Sequence, residues 1–443
     1  MILFYMLIIS LPMVDHPQFG YAIFGITVEK FLGVGCFFFA LSYLSRRRSF
    51  PQILATGQAR AFVMFAVMAV TGYAFMATPF DWHEMVGTIF VELVFFIATS
   101  ILIDSRKRLE TSVLVLIASI GLASLYLIKE WAGAISVYGL GYRPGSVAGD
   151  PNVFSASAVT VLPIMVAFAL GQNGWKRTFS VGCLLLTLSA ILMAASRGGF
   201  IALIVLLILQ LRDARHRGKF IVVALVILAL FLVSPVSPID RLLHPTYSDT
   251  ESSDARLQLW SIAFRIIADH PIVGVGLWQF APYLIKYLPP GVDLGFHVPH
   301  NTYLEVAVEL GIVGLALFLA MFFFTFLNLY RIRKAAKRLG DAFMYSLSTA
   351  IGNGLVGFMI AAFFLSAMHV KIFWFSIFLS TCLSAFLAKA PVKAAGSGAN
   401  SEPRAEMREK TPLTTPEQQP TAVKGTPRIA DDVELRVDQL RIH

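Results

Sequence analysis

Apolar runs long enough to cross a bilayer recur from the first residues to about residue 390, separated by shorter polar connections. Such a pattern leaves few folds open. Few soluble folds read that way, and several of the runs have the length of a membrane-spanning helix. Composition agrees, with 57% of the 443 residues hydrophobic, 14% charged and a mean hydropathy of +0.71. The expected fold class is therefore an all-α polytopic membrane protein.

In order, the runs give about twelve spans, near 1–14, 21–44, 59–77, 84–103, 111–128, 153–171, 178–195, 199–211, 219–235, 302–328, 342–366 and 372–388. Alternate connections are basic. They hold Arg46, Arg47, Arg48 and Arg60; Arg106, Lys107 and Arg108; Lys176 and Arg177; Arg212, Arg215, Arg217 and Lys219; and Arg331, Arg333, Lys334, Lys337 and Arg338. An excess of Lys and Arg marks cytoplasmic loops, which puts both termini in the cytoplasm and the large connections 129–152 and 236–301 outside. The net charge of +9 then reflects topology, and nucleic-acid binding is not expected. Residues 1–390 form one transmembrane domain that includes the loop 236–301, while 391–443, rich in Pro, Thr, Ala, Glu and Lys, reads as a disordered cytoplasmic tail with a short helix near 429–442. Met1 to Met13 lacks the basic leader of a cleavable signal peptide.

Several chemistries leave no trace. The sequence has no Walker loop, dinucleotide fingerprint, HExxH or Cys/His zinc spacing, so neither a cofactor nor a metal is expected. Cys36, Cys183 and Cys382 lie far apart inside apolar runs and suggest no disulfide framework.

Polar residues gather in the outward connections. Tyr142-Arg143-Pro144-Gly145 leads into Gly149-Asp150-Pro151-Asn152, where Asp150-Pro151 signals a turn and Asn152 is placed to cap the sixth span. Ser196-Arg197-Gly198-Gly199 joins two apolar runs through glycines that permit a tight reversal or a close approach. Arg197, flanked by membrane segments, must either snorkel or meet an anion. From Asp254 to Asp269, Leu257, Trp260, Ala263, Phe264 and Ile267 recur at helical spacing, widened by Ile262 and Ile266, with Arg256 at the start as either a surface charge or a ligand. Pro271, Gly274 and Gly276 interrupt this helix.

Val298-Pro299-His300-Asn301-Thr302-Tyr303-Leu304-Glu305 then opens a long apolar run. Thr302 and Glu305 have capping-box spacing, which sets His300 and Asn301 at a helix mouth where free N–H groups favour an anion. A histidine there is either a polar helix cap or a base whose pKa suits proton transfer near neutrality. Glu305 either caps the helix or orients His300; His297 and His244 lie in the same loop as alternates.

These pieces, in this order, resemble the O-antigen ligase and polymerase superfamily of bacterial envelope glycosyltransferases. The matching residues are Gly149 through Asn152, Ser196 through Gly199, Arg256 through Trp260 with Pro271, Gly274 and Gly276, and His300-Asn301 through Glu305 with Glu309-Leu310-Gly311 and Gly314. The likeness is close over roughly 140–320 and does not reach the tail. It implies a GT-C-like bundle whose large periplasmic loop roofs a cavity, in the bacterial inner membrane. It further implies transfer of a glycan from an undecaprenyl-diphosphate-linked donor to another glycan (polymerase, of O-antigen or exopolysaccharide) or to lipid A–core (ligase). No cofactor is needed, because the donor already carries a good leaving group. On the residues, His300 is the expected base; Arg197, Arg256 and Arg143 are expected on the leaving diphosphate; Asn301, Glu305, Asp150 and Asn152 support them. Besides donor and acceptor, the expected partners are membrane lipid and a chain-length regulator or flippase. A flippase of lipid-linked sugars, or a non-catalytic assembly component, remain alternatives. A flippase calls for charges deep in several helices, and the main candidates inside runs, Glu29, Lys30 and Glu92, are a thin set.

Overall fold

The computed structural model describes residues 1–13, 22–23, 26–46, 53–74, 82–139, 142–213, 221, 225, 229, 247–288 and 297–388. The expected span at 219–235, His244 and the tail 391–443 lie outside this set, or nearly so.

The described residues are almost entirely helical, apart from a two-residue antiparallel ladder pairing Ala22 with Thr27 and Ile23 with Ile26. The helices are α1 (Ile2–Ser10), α2 (Val28–Ser45), α3 (Gly57–Ala74), α4 (Trp82–Leu102), α5 (Arg106–Tyr138), α6 (Pro151–Gly171), α7 (Trp175–Ala194) and α8 (Arg197–Asp213). There follow α9 (Tyr247–Asp269), α10 (Phe280–Tyr287), α11 (Thr302–Leu339), α12 (Ala342–Ala361) and α13 (Lys371–Ala388). Six of the described helices are long and apolar enough to cross a membrane, and Ile2–Met13, Gly57–Gly72, Gly87–Leu102 and Lys371–Phe386 are shorter apolar helices. This is an all-helical membrane protein. The run expected at 111–128 is the middle of α5, whose 33 residues reach about 50 Å and overshoot the hydrocarbon.

Contacts between distant segments sort the polar groups onto two ends of the bundle. At one end is a basic belt. Arg106 grips Asp341 through both terminal nitrogens at 2.6 and 3.0 Å, Lys176 meets Glu110 at 2.6 Å, and Arg108 meets Asp104 at 3.0 Å. At the opposite end lie the starts of α6, α8, α11 and α13.

Between the ends the core is apolar and rich in aromatic rings. Phe62, Phe96, Phe378 and Trp374 pack edge to face or tilted, joining α3, α4 and α13. Phe358 and Phe373 stack with centroids 4.3 Å apart between α12 and α13. Helices α6 and α12 approach most closely at Gly354, where an added Cβ would stand 2.0 Å from the Thr160 carbonyl oxygen. Membrane helices pack tightly in this way at small residues because dispersion, not water exclusion, holds them.

The core also holds a buried ion triad. Lys371 Nζ lies 3.4 Å from both Glu29 Oε1 and Glu92 Oε1, bringing together α13, α2 and α4. Glu29 and Glu92 stand out in the sequence as charges inside apolar runs, whereas their cation sits at the edge of its run. Removing one member of a buried ion pair costs on the order of 3–5 kcal/mol, because the partner charge stays buried alone. Lys371→Met is accordingly expected to lower the detergent-extracted yield and thermal stability well below those of Lys334→Met. Adding Glu29→Gln and Glu92→Gln in the same chain should recover most of the loss. Equal stability of Lys371→Met and the parent would deny the triad a structural role.

Candidate active site

Four chain segments build the polar end of the bundle. The first is 142–152. Glu130, near the end of α5, accepts the Tyr142 hydroxyl at 2.8 Å and the Ser146 N–H at 2.9 Å, and the Ser146 hydroxyl donates to the Ala123 carbonyl at 2.6 Å. The carboxylate beside it pushes the Tyr142 hydroxyl pKa up to about 12. Asp150, not Asn152, caps α6: its Oδ1 accepts from the Asn152 and Val153 N–H groups at 2.7 and 3.0 Å. Pro151 explains the correction, since proline fits the first helical position and the cap must precede it. Asn152 is thereby released to bridge segments, its Oδ1 accepting from Ser196 Oγ at 2.8 Å and Arg143 Nη2 at 3.3 Å.

The second segment joins α7 to α8. Its reversal is made by Ala195 (φ 46, ψ 40), and of the two uses open to the glycines the close approach is the one found. Ser196 caps α8 through Gly199 N–H at 3.3 Å, and Gly198 and Gly199 instead let the helix lie against Phe364 and Ser155. Arg197 opens α8 beside this turn. Arg143 reaches the same place and donates through Nε to the Ala194 carbonyl at 3.2 Å.

The third segment is α9. It buries Leu259, Ile262, Ala263 and Ile266 against Val275, Phe280, Leu284 and Val308. The face expected from periodicity is thus rotated: Ala263 lies inside, while Leu257 and Phe264 are 61% and 59% exposed. Trp260 Nε1 donates to the Pro299 carbonyl at 2.8 Å, fastening α9 beside His300.

The fourth segment is 297–310. Asn301 caps α11, its Oδ1 accepting from Tyr303 and Leu304 N–H at 3.0 and 3.2 Å. The expected Thr302–Glu305 capping box does not form. The Thr302 hydroxyl turns away to donate to the Leu365 carbonyl at 2.6 Å and accept from Ala367 N–H at 3.0 Å. Glu305 is buried next to Ser366 and Glu309. Helix α11 is interrupted at Gly311 (φ 63, ψ −169), and the strap 271–276 enters the break. Val275 and Gly276 N–H donate to the Val308 and Glu309 carbonyls at 2.9 and 2.7 Å, and Ile312 N–H donates to the Pro271 carbonyl at 2.8 Å. A Cβ at Gly311 would stand 2.2 Å from the Ile272 carbonyl oxygen, so the strap and the break require glycine there. Third and fourth segments are therefore one structural unit.

Arg256 lies within electrostatic reach of Arg197, Asp150 and His300, and His300 within reach of Asp150, so residues of four segments meet around Arg256. Burial, then Arg197, lowers the Arg256 pKa, opposed by Asp150. Burial, then Arg256, lowers that of His300, opposed by Asp150, with His297 adding to the lowering. The lowered pKa favours the neutral imidazole, the form a proton acceptor needs, beside the Arg256 guanidinium, which stays charged at any accessible pH. Arg256 has Arg197 on one hand and on the other a single carboxylate, Asp150, with an oxygen already shared between two N–H donors. Arg256 Nε is buried without an acceptor among the described residues. Such a site is suited to an anion of more than one charge. Arg143 and Asn152 stand one layer back, bonded to each other and to the α7–α8 turn; His297 is exposed.

Backbone strain concentrates in these segments and just after the strap. The non-glycine residues with positive φ among the described residues are Ser146, Ala195, Trp278 and His300, at 58°, 46°, 63° and 48°. Strained residues of this kind cluster at functional sites. Among the described residues, no group of three or more His, Cys, Asp or Glu side chains is arranged to hold a metal ion.

Fold and site together define a polytopic membrane protein with a cationic, histidine-bearing site at one end of its bundle. The family model described as O-antigen ligase matches residues 182–319, and this stretch of the chain carries the domain of the O-antigen ligase and polymerase superfamily. The match contains Arg197, Arg256, His300, Asn301 and Glu305, while Arg143, Asp150 and Asn152 precede it. Among curated proteins, no match to the chain was found.

Proposed function

We propose that the protein transfers a glycan from an undecaprenyl-diphosphate-linked donor to a sugar hydroxyl, without a metal ion. The observation that carries this reading is a half-buried histidine beside the Arg256 guanidinium, itself within reach of Arg197 from a separate segment. His300 takes the proton of the acceptor hydroxyl as its oxygen attacks the anomeric carbon. The bond from that carbon to the diphosphate oxygen breaks, and the electron pair leaves with the diphosphate. Arg197 and Arg256 meet the charge that develops there, and fixed donors of this kind act mainly on the transition state. Asp150 balances the two arginines before donor arrives. Asn152 and Arg143 hold the α7–α8 turn that presents Arg197, with Arg143 in reach of the donor's outer charge. Asn301 fixes the backbone after His300, and Glu305 shapes the buried start of α11.

In this reading the chain lies in a bacterial inner membrane with about twelve spans. The basic belt and both termini face the cytoplasm, and the His300 end faces the periplasm, where a flippase delivers the donor and a chain-length regulator acts on the product. The acceptor is a lipid-linked glycan in a polymerase and lipid A–core in a ligase. The residues described act on the donor and are common to both.

The test is purified protein in nanodiscs with lipid-linked donor and acceptor in excess EDTA. Lengthened or ligated glycan should appear together with an equal amount of undecaprenyl diphosphate. Absence of transfer with either acceptor class, or transfer only on adding a divalent cation, would overturn the proposal. Surface-glycan gels of a deletion strain separate the two enzyme types. Lost O-chain with retained lipid-linked polymer marks a ligase, and single-repeat chains or lost exopolysaccharide mark a polymerase.

A further inference from the structure

We propose that Glu309 is a positioning residue, pinning the strap that carries α9 so that Arg256 keeps its spacing from His300; the claim rests on the transferase reading above. Arg256 and His300 belong to segments that meet through few directional contacts. The apolar cluster of Leu259, Ile262, Ala263 and Ile266 on Val275, Phe280, Leu284 and Val308 holds α9 down. Apolar burial is non-directional, however, and by itself leaves a helix free to slide or turn by a fraction of a residue. Registration needs hydrogen bonds.

Two ties supply it. Near the site, Trp260 Nε1 donates to the carbonyl of Pro299, the residue before His300. At the far end of the same unit stands Glu309. Its side chain is 4% exposed, and its carboxylate accepts the backbone N–H groups of Trp278 and Phe280. These donors follow the strap 271–276 directly, and Phe280 begins α10, whose Phe280 and Leu284 pack on α9. The carboxylate thus reaches beyond the main-chain repairs at Val308, Glu309 and Ile312 and fixes how the chain leaves the break. What it fixes is costly: Trp278 adopts a positive φ of 63° while its side chain is 48% exposed, so packing of the ring does not account for the strain. An acceptor buried against both N–H groups accounts for it. Glu309 is one helical turn from Glu305 and about nine residues from His300, too far along α11 to touch the reacting atoms. Its influence on the reaction therefore runs through α9 and Arg256.

The test uses the full chain in nanodiscs, in a background with Cys36, Cys183 and Cys382 replaced, and has two arms. Spin labels at Phe264→Cys on α9 and Leu319→Cys beyond the break in α11 report the placement of α9. The parent should give one narrow distance, Glu309→Ala a broadened or shifted one, and Glu309→Gln, which retains one acceptor oxygen, an intermediate one. In the kinetic arm, Glu309→Ala should lower kcat tenfold or more with less than a threefold change in the KM for lipid-linked donor. Combining it with Trp260→Phe should cost more than the product of the two separate losses, since both ties serve one spacing. An unchanged distance distribution in Glu309→Ala overturns the proposal whatever the activity. A changed distribution with unchanged kcat overturns the link from spacing to catalysis. If the parent itself transfers nothing, the transferase reading fails, and the distance arm still decides whether Glu309 positions α9.

Discussion

Replacing His300 by alanine is expected to slow transfer by roughly a hundredfold to ten-thousandfold, the usual loss for a general base, while the protein still inserts and still binds lipid-linked donor. The structure sharpens the choice of control. His300 has a φ of 48°, a backbone region where His, Asn and Asp are several-fold enriched over other side chains. Alanine there removes the base and disturbs the backbone together. His300→Asn keeps the backbone preference and a hydrogen-bonding tip, yet an amide cannot accept a proton near neutrality. His300→Asn and His300→Gln should therefore be as slow as His300→Ala. Full activity in the Asn variant, at equal membrane abundance, would return His300 to a purely structural role. The pH dependence supplies a second check. A base works in its neutral form, and burial with Arg256 nearby lowers the pKa of His300. The rising limb of kcat/KM should thus fall on the acid side of the ordinary imidazole value. In Arg256→Gln that limb should move toward alkaline pH, because one of the charges disfavouring the imidazolium is gone.

Much of this arrangement could be read from the residues, and the exceptions share a cause. Spans emerge from the sequence because hydrocarbon forces apolar runs into helices, and the bounds of α6, α7, α12 and α13 fall within a few residues of the runs. The arginines between membrane segments were legible as candidates because they have little structural excuse there, whereas Asp150 was legible first as part of a turn. What stayed hidden depends on partners distant in sequence. The α9 helix is apolar on more than one side, so periodicity gave the width of its apolar face but not which part meets Val308 and Phe280. Gly311 sits in an apolar run as a tolerable lone glycine, and only the strap 271–276 reveals a break. The capping box at Thr302 and Glu305 has the right spacing, but the Leu365 carbonyl and Ala367 N–H compete for the hydroxyl and win, leaving Asn301 to cap. Lys371 looked like the edge of a span until Glu29 and Glu92 came to it from the other end of the chain. The left-handed backbones at Ala195 and His300 had no residue-type signal strong enough to announce them.

The arginines should separate by their surroundings. Arg256→Ala and Arg197→Ala are each expected to lower kcat/KM by roughly a hundredfold or more, the loss typical of one charge-assisted donor aimed at the transition state. Arg212→Ala and Arg338→Ala, both exposed and remote from the His300 end, should stay within a few-fold of the parent. Arg143→Ala should fall between them. It already donates to the Ala194 carbonyl and to Asn152, so its loss acts first on the α7–α8 turn that presents Arg197. Arg256 carries the stronger expectation of the two frontline residues. It is partly buried, faces Arg197, and has a buried Nε with no acceptor among the described residues. Protein interiors seldom leave a buried donor unmade without a functional reason, and a diphosphate oxygen is the acceptor the proposed donor would bring. Lysine at 256 restores the charge but not the planar fork, so Arg256→Lys should recover only part of the rate. The diagnostic is the split between substrates. Binding of free undecaprenyl diphosphate should weaken in Arg256→Ala and Arg197→Ala, whereas acceptor KM at saturating donor should hardly move. If both alanine variants bind the diphosphate lipid as the parent does and turn over within a few-fold of it, the two guanidinium groups do not hold the leaving group, and their close approach requires another anion.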